Sequence, residues 1–338
     1  MNKPVRMALR NTLAVGITLF ATEIYPNPVA VRGLLCASLV SALPTFRRSA
    51  MRQRFLLMWM AAGIGMLSEV LFRDASWFFI PFYFSLVCLV FYLGSKSRDT
   101  ATLIIIAYGL SGSLFNKFPG SGNEPVFDGF FRAFWCSVGL LAGVFSFLVF
   151  PIPKAPVTAR ARPVNFPVRD CIYLGVCSIV SLIIGVIANQ YLSSPFLVMV
   201  TLVWGITLCT QRDKSARPMT FVYAVFAVIV AVAFDSVISS STNNLMVFLS
   251  AFLAIVWVIN WLRFTFASIT TMLSFFLIVF LAGAGMSPQP FQSFNFTLTN
   301  LYSVLGGMVV ASVLWVIDLV LRSVELAIEE SGRKKIAC

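Results

Sequence analysis

Four long stretches without a charged residue constrain this chain more than any other feature of its sequence. Twenty-one uncharged residues lie between Asp74 and Lys96, and another 21 lie between Arg132 and Lys154. The run over 171–211 has 41 uncharged residues, and the run over 264–317 has 54. About 20 apolar residues cross the hydrocarbon core of a bilayer as a helix. The shorter runs therefore predict single membrane spans, and the longer runs predict helical hairpins.

The composition favours a polytopic membrane protein. Hydrophobic residues make up 59% of the chain and charged residues 11%, against about 45–50% and about 25% in soluble domains. Apolar length and helix breakers together predict helices near residues 6–24, 28–45, 55–72, 77–94, 100–115, 131–150, 170–190, 195–210, 218–238, 245–262, 265–284 and 301–321. The first has a short apolar core with no small-residue cleavage site after it, so we interpret it as an uncleaved helix.

A proline-rich segment divides the chain into two halves. Residues 151–167 contain five prolines and three cationic residues, which interrupts the helical pattern. We therefore predict an all-α fold of about twelve transmembrane helices, arranged as two parallel six-helix repeats. The first repeat covers 1–150, a Pro/Arg-rich cytoplasmic linker covers 151–168, and the second repeat covers 169–322. A cytoplasmic tail with the basic segment "RKK" covers 323–338.

The distribution of cations predicts the orientation of the chain. With the N-terminus inside, 21 of the 25 Lys and Arg residues fall in cytoplasmic segments, as the positive-inside rule requires. An even number of spans with both termini in the cytoplasm follows from this distribution. The net charge of +12 therefore reflects orientation and contact with membrane lipids, and no nucleic-acid partner is expected because the cations are not gathered on one face.

The two halves resemble each other at a nearly constant spacing. Matching residues 165 to 167 positions apart include the pairs Pro28 and Pro195, Glu69 and Asp235, Arg98 and Arg263, Thr100 and Thr265, and Ser137 and Ser303. Because each half contains an even number of predicted spans, the repeats should share one orientation and be related by an axis along the membrane normal. A binding site between the repeats is the usual consequence.

The pattern of residues 8–72 resembles the start of the fusaric acid resistance (FUSC) type of inner-membrane protein. It has an Arg-led first helix beginning "ALRNTLAVGITLF", a short outer turn "YPNP", an apolar second helix, the arginine-rich turn "TFRRSAMRQRF" and a Gly/Ala-rich third helix. Residues 168–218, from "VRDCIYLGV" to "QRDKSARP", look like the same unit again. The resemblance covers most of the chain as architecture.

This resemblance implies export of aromatic carboxylic acids and related toxic compounds across a bacterial inner membrane. The family is often found beside a periplasmic adaptor (membrane fusion) protein, and it is related to plant anion channels. We therefore expect a proton-coupled exporter of small organic anions that needs no cofactor, with assembly as a homo-oligomer left open. A passive anion channel of the same architecture and a non-transporting accessory or scaffold subunit remain as alternatives.

Three arginines are candidates for the substrate site. Arg32 lies in an apolar run about one turn inside the second helix, where it reaches the interface, pairs with Glu23 across the short outer turn, or attracts a substrate carboxylate. Arg98 and Arg263 begin matched helices at the cytoplasmic face and serve either as topological anchors or as an anion-collecting vestibule. These three arginines are the predicted substrate-binding residues.

A matched pair of acids is the candidate for proton coupling. Glu69 and Asp235 fall at equivalent depths in the third and ninth predicted helices. Desolvation raises the pKa of an intramembrane carboxyl group towards the working pH, which suits a proton carrier. The alternative is that both acids lie near helix ends and are wetted by the outer interface.

The sequence gives no indication of an enzyme. It contains no histidine, so Ser-His-Asp, Cys-His and His-metal sites are excluded. The Gly-rich "PGSGNEP" lacks the GK[ST] ending of a P-loop. The seven cysteines show no metal-type spacing and are interpreted as small buried apolar residues, so no metal site is predicted.

Overall fold

The part of the chain that the structure describes is helical. The computed structural model describes residues 2–25, 31–43, 46, 48–71, 125–151, 245–266 and 269–284, with isolated helical positions between 78 and 89, between 222 and 234, and at 316. Within these residues there is no strand. The helices are α1 (Lys3–Ile24), α2 (Val31–Ser41), α3 (Arg48–Leu71), α4 (Pro125–Val149), α5 (Leu245–Thr265) and α6 (Thr270–Ala284).

These helices match six of the predicted ones, with ends that differ by several residues. Helix α3 starts at Arg48, well before the predicted 55, because arginine is a good helix former and the helix extends beyond its apolar part. Helix α4 starts at Pro125 rather than 131, since proline is favoured in the first helical turn. Helix α2 ends at Ser41 rather than 45, as expected shortly before Pro44. The other six predicted helices lie wholly or mainly outside the described residues.

Helices α1 and α4 pack antiparallel to each other. Near the start of α1, the guanidinium carbon of Arg10 lies 3.9 Å from the ring centroid of Phe147 at the end of α4. At the other end of the pair, the rings of Tyr25 and Phe131 stack with centroids 6.2 Å apart. The two helices therefore cross the bundle in opposite directions.

Helices α2 and α4 run parallel and are packed very closely. A Cβ atom added at Gly33, near the start of α2, would lie 2.7 Å from the carbonyl oxygen of Trp135. A Cβ atom added at Gly143, further along α4, would lie 2.7 Å from Cγ1 of Val40 near the end of α2. Small residues let the two backbones approach along their whole shared length.

Contacts between helices also define the directions of α3, α5 and α6. Trp59 of α3 donates a hydrogen bond from Nε1 to Oγ of Ser137 on α4 at 3.0 Å, and Phe46, just before α3, packs on Phe147 near the end of α4. Helix α3 is therefore antiparallel to α4. Helix α6 folds back on α5, because the rings of Phe252, early in α5, and Phe280, late in α6, stack with centroids 5.3 Å apart. Helix α5 is antiparallel to α1, since Asn260 contacts Asn11 and Leu253 lies beside Gly16. Helices α1, α3 and α6 run one way, and α2, α4 and α5 run the other.

Large apolar side chains cover much of the outside of this bundle. Exposed apolar residues on α3 and α4 are Phe55, Leu56, Met60, Leu67, Leu71, Phe130, Phe134, Leu141, Phe145, Leu148 and Val149. One described helix, over Met246–Thr265 in α5, is long and apolar enough to cross a membrane.

Candidate functional site

A fully buried arginine holds the end of α2 from inside the bundle. Arg10 of α1 has no exposed surface. Its Nε donates to the carbonyl oxygen of Ser41 at 2.6 Å, and its Nη2 donates to the carbonyl oxygen of Leu43. The last carbonyl groups of a helix have no partner within the helix, and here the guanidinium supplies one. The ring of Phe147 covers the cation at 3.9 Å, an arrangement that stabilises a positive charge.

Two asparagines join α1 to α5 next to this arginine. Asn260 donates from Nδ2 to Oδ1 of Asn11 at 3.0 Å and to the carbonyl oxygen of Val256 at 2.8 Å. Asn11 in turn donates from Nδ2 to the carbonyl oxygen of Ser38 on α2 at 2.8 Å. Both asparagines are fully buried. Helices α1, α2 and α5 are therefore linked by one chain of amide hydrogen bonds.

Two polar atoms of this buried centre lack a partner among the residues that the structure describes. They are Nη1 of Arg10 and Oδ1 of Asn260, both buried. A buried donor or acceptor that makes no hydrogen bond costs about 1–3 kcal/mol. The centre therefore retains one cationic donor and one neutral acceptor that a water molecule or a small polar solute can satisfy.

Three arginines are buried within the described part of the bundle. Arg10 is 0% exposed, Arg32 is 6% exposed and Arg54 is 5% exposed, while no acidic side chain is buried among the residues whose accessibility is known. Glu23, near the end of α1, is half-buried. Charges in an apolar interior interact strongly because the local dielectric is low.

Arg32 and Arg263, two of the three predicted substrate-binding residues, are described, and they lie at opposite ends of the bundle. Arg32 is buried in the first turn of α2, at the end where α1 finishes. Arg263 is in the last turn of α5, at the end where α1 begins, with its guanidinium 5.1 Å from the ring of Phe264. The fold does not bring these two arginines into one cluster. Arg98 lies outside the described residues.

The predicted proton-coupling pair falls largely outside the described part. Glu69 is in the last turn of α3, which places its backbone at the end of the bundle where α2 starts. Asp235 follows the helical positions 233–234 and is itself outside the described residues. Its neighbour Phe234 packs against Phe252 and Phe280, with ring centroids 5.8 and 5.9 Å away.

The centre formed by Arg10, Asn11 and Asn260 was missed by sequence reasoning, which grouped Arg10 with the cations of the cytoplasmic side. The signal was present in each helix, because "RN" and "INW" place amides inside otherwise apolar segments. Polar residues within apolar helices usually face the interior of a bundle. Their pairing was not visible, since 249 positions separate Asn11 from Asn260.

Comparison of the chain with family models, curated proteins and solved structures finds no significant match.

Proposed function

We propose that this chain is a multi-pass inner-membrane protein of bacterial type that exports small organic anions, aromatic acids among them. The observation that carries the proposal is the burial of Arg10, Arg32 and Arg54 within the described part of the bundle. Intramembrane cations usually face a substrate or ion pathway or a paired group. An apolar outer surface around such an interior is the arrangement expected of a membrane transporter.

Helix directions support the predicted number of spans. Helix α3 finishes at the end of the bundle where α4 begins, which fits an even number of predicted spans between them. Helix α4 finishes at the end opposite to the start of α5, which fits an odd number of predicted spans between them. The sequence predicts two spans in the first segment, near 77–94 and 100–115. It predicts three in the second, near 170–190, 195–210 and 218–238. Both counts agree with this parity.

A contact between the proposed repeats supports a site at their interface. The hydrogen bond from Asn260 to Asn11 joins the second repeat to the first, and Leu253 packs on Gly16, where an added Cβ would lie 3.3 Å from it. Substrate sites in transporters with internal repeats lie where the repeats meet. Arg10 and Asn260 are therefore the described residues nearest to where we place the pathway, with Arg32 towards its outer end.

The test is transport by the purified chain in proteoliposomes. Labelled benzoate is supplied on one side, with and without an imposed pH gradient. Protein-dependent movement that the pH gradient drives is expected, and Arg32→Gln should reduce it at least about tenfold, since one lost charge-assisted hydrogen bond is worth about 1.5–3 kcal/mol. Arg6 makes one long, exposed hydrogen bond of 3.4 Å, so Arg6→Gln is the matched control and should keep full activity.

Two results would count against the proposed exporter. Benzoate movement that follows its own gradient and ignores pH would replace coupled export by a passive anion channel. No protein-dependent movement of benzoate or related carboxylates would overturn the transport function and favour an accessory or scaffold subunit. In either case, unchanged helicity of the reconstituted protein establishes that the result is not caused by unfolding.

A further inference from the structure

Three sulfur-bearing side chains from three different helices share one buried cluster. Cys36 on α2 and Met58 on α3 are 0% exposed, and Cys136 on α4 is 2% exposed. They pack in the same core cluster, whose other fully buried members are Val40, Leu140 and Phe147. Each of the three helices contributes one sulfur atom to the interior of the bundle.

The two thiols of this cluster come from two closely packed helices. Cys36 on α2 and Cys136 on α4 belong to the same buried cluster at the α2–α4 interface. This is the region where the backbones approach most closely, because Gly33 lies three residues before Cys36 and Gly139 lies three residues after Cys136. Two thiols in one buried cluster, on helices packed this closely, are placed to share one small ion.

Helix α3 places its sulfur atom beside this pair. Met58 of α3 is fully buried in the same cluster as Cys36 and Cys136. Met51, about two turns earlier on α3, packs against this cluster from its edge. The thioether of Met58 is therefore available as a third, neutral sulfur ligand.

A buried cation lies next to Cys36. Arg32 is four residues earlier on α2, which places the two side chains on the same face of the helix, and it is 6% exposed. Two thiolates around a monovalent ion carry a net charge of −1. Arg32 compensates that charge within the protein interior, where an isolated charge is costly.

We propose that Cys36, Cys136 and Met58 form a binding site for Cu(I). One Cu⁺ ion replaces the protons of both thiols, giving a dithiolate complex of charge −1, and two protons leave to solvent. The Met58 thioether completes the coordination without contributing charge. Nothing is oxidised or reduced in this step. The site is separate from the Arg10 and Asn260 centre and does not depend on the proposed transport function.

The ligand chemistry selects a soft monovalent ion. Thiolate and thioether sulfur atoms favour Cu(I). Structural Zn²⁺ needs four ligands from Cys, His or carboxylate, and within the described residues no group of three such side chains lies together. Ligands from three helices leave no regular spacing in the sequence, which is why the cysteine positions alone predict no metal. The alternative role of the two thiols is to fill space as small apolar side chains.

The test is Cu(I) binding to the full chain in detergent under anaerobic conditions. The background is a variant with Cys88, Cys171, Cys177, Cys209 and Cys338 replaced by serine, so that only Cys36 and Cys136 remain. Cu(I) is titrated against a chromophoric Cu(I) chelator. The proposal expects one equivalent of bound copper, release of two protons, and X-ray absorption spectra with sulfur as the only nearest neighbour.

Single substitutions separate a metal site from simple packing. Cys36→Ala and Cys136→Ala should each abolish stoichiometric binding, and Met58→Leu should weaken it about tenfold, as loss of a supporting group usually does. Met60→Leu is the matched control, because Met60 is on the same helix but 60% exposed, and it should change nothing. Monodisperse elution and an unchanged helical circular dichroism spectrum show that each variant is folded. Retained copper in the double variant Cys36→Ala/Cys136→Ala, or nitrogen or oxygen neighbours in the unsubstituted chain, would overturn the proposal.

Discussion

The guanidinium of Arg10 is buried without contact to a carboxylate among the described residues. Its charge is offset by the carbonyl oxygens of Ser41 and Leu43 and by the ring of Phe147. Carbonyl groups at the C-terminal end of a helix carry the negative end of the helix dipole. A cation from α1 therefore stabilises the end of α2 and fixes where the chain turns towards α3.

Replacing Arg10 by lysine should be costly although the charge is kept. A lysine has one ammonium group, so it cannot reproduce the planar two-bond contact or stack on Phe147 in the same way. We expect Arg10→Lys to lower the free energy of unfolding by about 2 kcal/mol, the value of roughly one hydrogen bond to a charged group. The measurement is the temperature at which half of the detergent-purified protein still elutes as a monodisperse species.

Arg6 provides the control for this substitution. It lies one turn before Arg10 on α1, but its hydrogen bond to the Pro151 carbonyl oxygen is exposed and 3.4 Å long. Arg6→Lys should therefore stay within about 0.5 kcal/mol of the parent, as surface substitutions usually do. Equal loss of stability in the two variants would show that Arg10 has no special role in holding α2.

The amide pair predicts a non-additive pattern of stability. Asn260→Leu removes the donor to Oδ1 of Asn11, and Asn11→Leu removes the acceptor together with the bond to Ser38. Each single change should destabilise by about 1–2 kcal/mol, given the measured range for interhelical hydrogen bonds. The double variant should cost less than the sum, because no buried partner is left behind. A double-mutant cycle measures this coupling, and strict additivity would contradict a direct bond.

The sequence predicted the polar residues of the bundle better than their partners. Arg32 was recognised as a charge inside an apolar run, and the structure buries it in α2. Arg10 was assigned only to the cytoplasmic end of its helix, because a charge near a helix end satisfies the positive-inside rule whether or not it points inward. Its carbonyl partners belong to Ser41, at the end of α2, and to Leu43, just after it. Only tertiary packing brings these carbonyl groups next to Arg10.

Helices α2 and α4 depend on glycine at their crossing. A Cβ atom added at Gly139 would fall on the carbonyl group of Gly33, far inside contact distance and against backbone that cannot rotate away. Gly139→Ala should therefore push the two helices apart and destabilise the protein by about 1–3 kcal/mol, the usual cost of overpacking. The same thermal elution assay measures the effect.

Gly63 of α3 is the matched control for this substitution. No atom lies within 4 Å of the position where its Cβ would be. Gly63→Ala should be neutral or should stabilise α3 by about 0.5–1 kcal/mol, because alanine restricts the unfolded chain more than glycine does. If both alanine variants behaved alike, the close approach of α2 and α4 would be wrong.

Element positions were predicted more closely than element ends. Apolar length located α1, α4, α5 and α6 because a membrane-length helix needs a long apolar run. The start of α3 at Arg48 lay outside that signal, since its first turns contain Arg48, Arg52 and Arg54. Apolar content reports which part of a helix faces lipid or the core, whereas helix ends depend on local capping and on contacts such as that of Arg10.

At the scale of the whole molecule, the helix directions make a prediction about the two sides of the membrane. The end of α1 lies at one end of the bundle, while the ends of α4 and α5 lie at the other. Tyr25 is 54% exposed and Phe266 is 49% exposed, and Pro151 is also exposed. Cysteines placed at these three positions report on opposite sides of a bilayer if the described helices cross it.

We expect Tyr25→Cys to react with a membrane-impermeant thiol reagent from outside intact spheroplasts, because the predicted orientation places the start of α1 in the cytoplasm and its end outside. Pro151→Cys and Phe266→Cys should react only after the membrane is opened. All three are placed in a background whose seven native cysteines are replaced by serine or alanine. A membrane-permeant reagent that labels all three variants shows that each cysteine is accessible.

Labelling of all three positions from the same side would contradict the antiparallel crossing of α1 with α4 and α5. It would also remove the parity argument for twelve spans, which requires α4 to finish on the side where α1 begins.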